Sequence, residues 1–247
     1  MIIKNDFYAI YFGNSKDNIS KQIDCVPQSI PLIQHPKFSS LFKDLNLDAI
    51  AVLNQTHSNE GMIVDQEFPA FNRDGDYLIT ARTNVGLGVL TADCVPVVLY
   101  DTRNHAIAAI HAGWRGAVAE IVPKALEHMN SVWNSDAQDM QIFIGPSAKA
   151  CCYQVHEDFM GNVPEEFVKK VMIKKDERWH FDTADLIALQ MQKAGISSDS
   201  IHTQYNLCTM CDQRFFSHRR QQALRSSVES EVGGLNAGRQ ITIAILK

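Results

Sequence analysis

The chain has 247 residues, 45% of them hydrophobic, and a formal net charge of −5; it is long enough to bury a substantial core and lacks the basic excess that nucleic-acid binding demands. The opening MIIKNDFYAI has no basic region followed by a long apolar run, and no uncharged run approaches the ~18 residues of a membrane span, so neither a signal peptide nor a membrane partner is expected. Six cysteines in a chain of this length, two of them adjacent at Cys151-Cys152, do not make the framework of a small secreted domain, and the expected compartment is the cytoplasm, where thiols stay reduced.

In chain order, residues 7–12 read as a strand, 13–18 as a turn, and 19–27 as helix or coil, while Pro31 and Pro36 exclude a long element before Leu41. No repeat, low-complexity tract or linker interrupts the chain, which favours a single domain over residues 1–247. From Ala49 the pattern turns strand-rich, with candidates at 49–53, 61–64, 76–80, 86–92, 95–100 and 106–110. Runs such as 106–110 are apolar throughout, as in a sheet covered on both faces.

The helices follow. Residues 115–129 carry Val118, Ile121, Val122, Ala125, Leu126 and Met129 on one stripe, with Pro123 as a kink. Residues 165–172 and 183–194 are two more, the second started by Asp182 or Thr183 and stopped by Gly195. Strands at 140–144 and 241–246 complete the set. The fold class is α/β, a layered sandwich with a mixed β-sheet flanked by helices.

The strands 95–100 and 106–110 are joined by Asp101-Thr102-Arg103-Asn104, the composition of a tight turn. Cys94 opens this hairpin and His111 closes it, so antiparallel pairing brings both to the end away from the turn. Gln55-Thr56-His57-Ser58, directly after the strand at 49–53, offers a third ligand. Two imidazoles and a thiolate from His57, Cys94 and His111 suit Zn²⁺ and leave a fourth coordination position open. There is no short-range CxxC or HExxH signature here, and the alternative is that each is a packed or surface residue at a strand end.

Gly113-Trp114-Arg115-Gly116 precedes the helix that follows His111. Free amides of Gly113 and Gly116 and the helix dipole would receive a phosphate with Arg115 as bidentate partner; alternatively, the glycines only make a turn and Trp114 packs in the core. Asp93, on the opposite strand face from Cys94 if this stretch is extended, either orients Arg115 or a ligand histidine, acts as a general base, or caps backbone amides. Cys208-Thr209-Met210-Cys211 spells a CxxC, half of a structural zinc site or a redox pair. No second CxxC follows, and the adjacent Cys151 and Cys152 read as poor partners for a tetrahedral closure. Arg214, His218, Arg219 and Arg220 form a basic cluster, with Arg219 the candidate for substrate phosphate and a solvated charge run the alternative.

Thr91-Ala92-Asp93-Cys94-Val95-Pro96-Val97-Val98-Leu99-Tyr100-Asp101 and His111-Ala112-Gly113-Trp114-Arg115-Gly116 resemble the two signature blocks of the YfiH-like laccase-domain family. The likeness extends to Gln55-Thr56-His57, Ile144-Gly145-Pro146-Ser147, Tyr153-Gln154-Val155, Cys208-Thr209, Phe216-Ser217-His218-Arg219-Arg220 and Gly238-Arg239. It departs where His218 replaces the family's tyrosine, where residues 221–236 form an enlarged loop, and where Gln55-Thr56-His57-Ser58 replaces Gln-Val-His-Gly.

The resemblance implies zinc-dependent purine nucleoside chemistry: phosphorolysis of adenosine, inosine or methylthioadenosine, with adenosine deamination as a companion activity. The partners are then a purine nucleoside and phosphate. Three competing readings remain open. Copper-dependent polyphenol oxidation lies behind the laccase name, but multicopper oxidation needs many more histidines arranged as several sites. The others are a metal-free cysteine hydrolase in which His111 activates Cys94, and a non-catalytic metal-binding protein.

Overall fold

The structure, a computed structural model, describes residues 1–17, 43, 45, 47, 49–65, 73–227 and 238–247. The expectations for residues 19–27, Pro31 and Pro36 lie outside these, as do residues 228–236 of the enlarged loop.

Three sheets carry the described residues. In the first, the order is β1 (Ile2–Lys4), β2 (Tyr8–Phe12), β14 (Gln240–Leu246), β6 (Val85–Thr91) and β3 (Ala49–Val52). In the second it is β13 (Ile201–His202), β9 (Met140–Ile144), β7 (Val95–Asp101), β8 (Ala106–Ala112), β5 (Tyr77–Thr80) and β4 (Gly61–Ile63). Both are mixed, with parallel pairs at β3/β6, β4/β5 and β13/β9 and antiparallel pairing elsewhere. The third is small: β10 (Gln154–Val155), β12 (Arg178–Phe181) and β11 (Met172–Lys175).

The continuous apolar runs have the cause the sequence implied. Side chains alternate across a strand, and here both faces of the two larger sheets are covered. On β7, Val95, Val97 and Leu99 face the helices with Ala108 and Ile110 of β8. Their neighbours Val98, Tyr100, Ile107 and Ala109 face Leu87 and Val89 of β6 and Ala244 of β14 in the core between the sheets. The outer face of the first sheet is closed by Leu45 and Leu47 against Ile241, Ile243 and Ile245. The result is the layered α/β sandwich, with its strands divided among sheets.

The helix read over 115–129 is two helices, α1 (Trp114–Val118) and α2 (Ile121–Trp133). The break is at Glu120, which has φ 58°, so Pro123 is no kink. It stands in the first turn of α2, where a missing N–H leaves no bond unmade. Next come α3 (Glu165–Val171) and α4 (Thr183–Lys193). The Asp182 carboxylate caps α4 by accepting from the Asp185 amide at 3.1 Å, and Gly195 follows it with φ 95°. The start of the expected loop is helical instead: α5 spans His218–Ser227. Its polar sequence lacks the apolar stripe that periodicity reads. Strands β10 to β13 also escaped, being two to four residues long. Among the described residues, no helix is long and apolar enough to cross a membrane.

The β7–β8 turn that aligns Cys94 with His111 is held by Asp101. Its buried carboxylate accepts from the Arg103 and Asn104 amides at 2.8 and 2.9 Å and from the Asn104 side chain at 2.8 Å. Burial alone would raise this carboxyl, but the nearby Ser135 hydroxyl and the turn's donors outweigh it and lower its pKa. Asp101→Ala is expected to cost about 2–3 kcal/mol, the scale of unmade bonds to a charged group. Because the folded-state pKa is depressed, the Asp101 contribution is present at neutral pH and lost as pH falls below the ordinary carboxylate range. Urea unfolding of both proteins from pH 7 to pH 3 checks this: the difference between them should shrink on acidification.

Candidate metal centre

Pro96 pairs with His111 and Val95 with Ala112 across the β7–β8 ladder. Cys94 and His111 therefore stand at the same end of the hairpin, away from its turn. His57, in the loop after β3, closes on them. One donor atom from each of His57, Cys94 and His111 lies within 4.8 Å of the others, and the Cys94 Sγ to His57 Nε2 distance is 3.7 Å. Bonds of 2.3 Å to sulfur and 2.1 Å to nitrogen at a tetrahedral angle would place such a pair about 3.6 Å apart, so the donor set fits one Zn²⁺-sized ion.

Sequence reasoning missed what holds this triad. Asp76, only 1% exposed, accepts from His111 Nδ1 at 2.8 Å, which leaves Nε2 of that ring to face a metal. The same carboxylate accepts from the amides of His57 and Ser58 at 3.0 and 2.7 Å and from Ser58 Oγ at 2.7 Å. It ties the His57 loop to the His111 strand and fixes the imidazole tautomer. The role considered for Asp93, orienting a ligand histidine, thus falls to Asp76. A carboxylate leading the apolar run 76–80 was the available signal.

Electrostatics follow the same contacts. Burial would raise the Asp76 carboxyl, yet hydrogen bonds from His111 and Ser58 hold it at about 2. Burial would raise the Cys94 thiol and lower His111. Their mutual attraction, aided by the bonds from His57 and to Asp76, reverses both shifts, bringing Cys94 down to about 6 and His111 up to about 9. The shift favours the Cys94 thiolate, the form that binds metal.

His57 and Asp93 both have positive φ, 62° and 86°. This is costly backbone for non-glycine residues and clusters at functional sites. Asp93 lies in a bend, not in extended strand, and does not reach Arg115. Its carboxylate accepts from Thr209 Oγ and from the Arg219 amide, both at 2.7 Å.

The glycines serve close approach. A Cβ on Gly113 would stand 2.6 Å from His57 Cδ2 and 3.4 Å from Cys94 Sγ, and one on Gly116 would stand 2.8 Å from the Ser58 carbonyl. The helix that Gly113 precedes and that contains Gly116 is five residues long, too short to add much dipole. Gly113→Ala is expected to push His57 off the other two donors at a cost of about 1–3 kcal/mol in packing strain. Titration of the metal-free protein with zinc should show affinity weakened at least tenfold.

The triad forms one wall of a cavity of about 700 Å³, within the range of small-molecule sites. Arg115, Arg219 and Arg239 line it as well, with His156 and His218. The Arg115 guanidinium lies over the Trp114 ring, 4.3 Å from its centroid, and Arg219 over Tyr153 at 4.9 Å. Of the residues proposed from sequence, the cavity gathers His57, Cys94, His111, Asp93, Arg115 and Arg219. Tyr153 and Arg239 stood in the quoted motifs but were given no role.

The structure corrects one expectation outright. Cys151 and Cys152, read as poor partners for the CxxC, join Cys208 and Cys211 in a second cluster, with all four sulfurs within 4.8 Å of one another.

The sequence and the fold both match known proteins. Residues 36–245 match the family model described as multi-copper polyphenol oxidoreductase laccase, and the chain belongs to that family. A purine nucleoside phosphorylase of Clostridium acetobutylicum is 30% identical over 99% of this chain and 94% of its own length. One of Aquifex aeolicus is 31% identical over 72% of this chain and 80% of its own. The crystal structure of Bacillus licheniformis YfiH superposes with a TM-score of 0.72 at 25% identity, covering 85% of this chain and 80% of that one.

Proposed function

We infer that this protein is a zinc-dependent purine nucleoside phosphorylase acting on adenosine, inosine or methylthioadenosine, with adenosine deamination as a companion activity. The observation that carries the reading is one cavity with a His–Cys–His donor set and three arginines in its walls. The relatives that bear the name purine nucleoside phosphorylase support the reaction class. The free thiols at Cys94, Cys151, Cys152, Cys208 and Cys211 fit a reducing compartment, the cytoplasm.

Phosphorolysis joins a phosphate oxygen to the anomeric carbon and breaks the glycosidic C–N bond, giving ribose 1-phosphate and the free base. Zinc held by His57, Cys94 and His111 would supply Lewis-acid stabilisation of developing charge. Arg115 and Arg219 are placed to grip the phosphate through paired N–H donors. Each is stacked on an aromatic ring, which limits the freedom lost on binding. Holding phosphate and nucleoside in one cavity turns an encounter of two solutes into reaction between neighbours. Asp93, with its oxygens engaged by Thr209 and the Arg219 amide, is a positioning residue for the phosphate end. His156 and His218 are the imidazoles beyond the triad that line the cavity.

The test is incubation of purified protein with adenosine or inosine, with and without phosphate. Phosphate-dependent release of base and ribose 1-phosphate is expected, and phosphate-independent formation of inosine from adenosine reports the deaminase. Arg219→Ala should raise KM for phosphate about tenfold or more, the scale of one charge-assisted hydrogen bond. Absence of phosphate-dependent base release overturns the reading. Polyphenol oxidation that tracks stoichiometric bound copper would replace it with the activity in the family's description.

A further inference from the structure

We propose that Cys151, Cys152, Cys208 and Cys211 bind a second zinc ion, a structural one that clamps two loops at the wall of the cavity. Cys211 Sγ lies 3.1 Å from Cys152 Sγ and 3.6 Å from Cys151 Sγ, and all four sulfurs fall within 4.8 Å of one another. A tetrahedral zinc with bonds of 2.3 Å sets its sulfurs about 3.8 Å apart. A disulfide would require about 2.05 Å, and all four residues are free thiols. Four thiol groups gathered without hydrocarbon between them have one common use, a soft cation at the centre.

The backbone is shaped for this. The Cys152 amide donates to the Lys149 carbonyl at 2.9 Å, a tight turn that brings two adjacent sulfurs to the same side. Ser147 bridges Cys208, with Ser147 N donating to the Leu207 carbonyl and Thr209 N to the Ser147 carbonyl. The two ligand pairs thus come from loops held edge to edge before any ion arrives. Cys151 and Cys211 are exposed, so the ion has a direct path from solvent. Binding releases the thiol protons and leaves a Zn(thiolate)₄ centre.

The clamp sits beside the residues that shape the phosphate end of the cavity. Tyr153 directly follows Cys152 and carries the Arg219 guanidinium on its ring. Thr209, inside the CxxC, donates to Asp93, and its carbonyl accepts from Arg220. Fixing four sulfurs around one ion therefore fixes both loops that hold Asp93 and Arg219, without touching substrate.

Metal analysis of the full chain, purified under reducing conditions, tests the proposal independently of the catalytic reading. Two zinc ions per chain are expected in the wild type, one in Cys211→Ser, one in Cys94→Ala and none in the double variant. Cys211→His, which keeps a donor at that position, should restore the second ion and guards against loss of the fold in the serine variant. Cobalt(II) loaded into Cys94→Ala should show the visible bands of a tetrahedral all-thiolate site. A wild-type stoichiometry of one that is unchanged by Cys211→Ser overturns the proposal. So does mass spectrometry finding a disulfide within the cluster of freshly isolated protein, or iron there in place of zinc.

Discussion

Cys94→Ala is expected to abolish phosphorolysis, by more than about 1,000-fold in kcat/KM, and to release the zinc held with His57 and His111. Loss of one preorganised charge-stabilising group already costs roughly 100- to 1,000-fold in other enzymes, and here the whole ion is lost with its anionic donor. Base release and zinc content measured on the same preparation check both halves. Wild type stripped by a chelator should behave as the variant does and recover when zinc is returned. If stripped wild type keeps its activity and Cys94 traps an alkylating substrate analogue, the metal-free cysteine hydrolase is the correct reading. If zinc is present and no nucleoside turns over, the protein is a non-catalytic metal binder.

Asp76→Asn and Asp76→Ala are expected to separate affinity from stability. The asparagine keeps the shape but offers one acceptor oxygen to a set of donors that now uses two. Zinc affinity should fall about 10–100-fold, as when partners behind a metal ligand are removed. The alanine leaves buried donors from His57, Ser58 and His111 unpaired, and the metal-free protein should lose about 3 kcal/mol or more. Zinc titration and urea unfolding of metal-free protein measure the two effects. An Asp76→Asn protein that binds zinc as wild type does would show that the His111 ring is oriented by its packing alone.

Much of the fold was legible because it rests on local periodicity. The strands at 95–100 and 106–110, their four-residue turn and the capped helix from Asp182 follow from apolar runs and turn chemistry read over a few residues. The same reading failed where the signal is not local. Glu120 takes a left-handed backbone that no composition announces, and it splits the helix that Pro123 was expected to kink. The polar helix at His218–Ser227 has no apolar stripe to find.

The sequence by itself determined that Cys94 and His111 meet: the first opens and the second closes one hairpin, and antiparallel pairing across its turn brings them to the same end. Only the tertiary structure decided which carboxylate serves His111 and which cysteines meet. Asp76 lies 35 residues before His111 and Cys151 lies 60 before Cys211; such pairs are joined by the docking of separate strands and loops, and nothing in the spacing of a linear chain records where those loops will close.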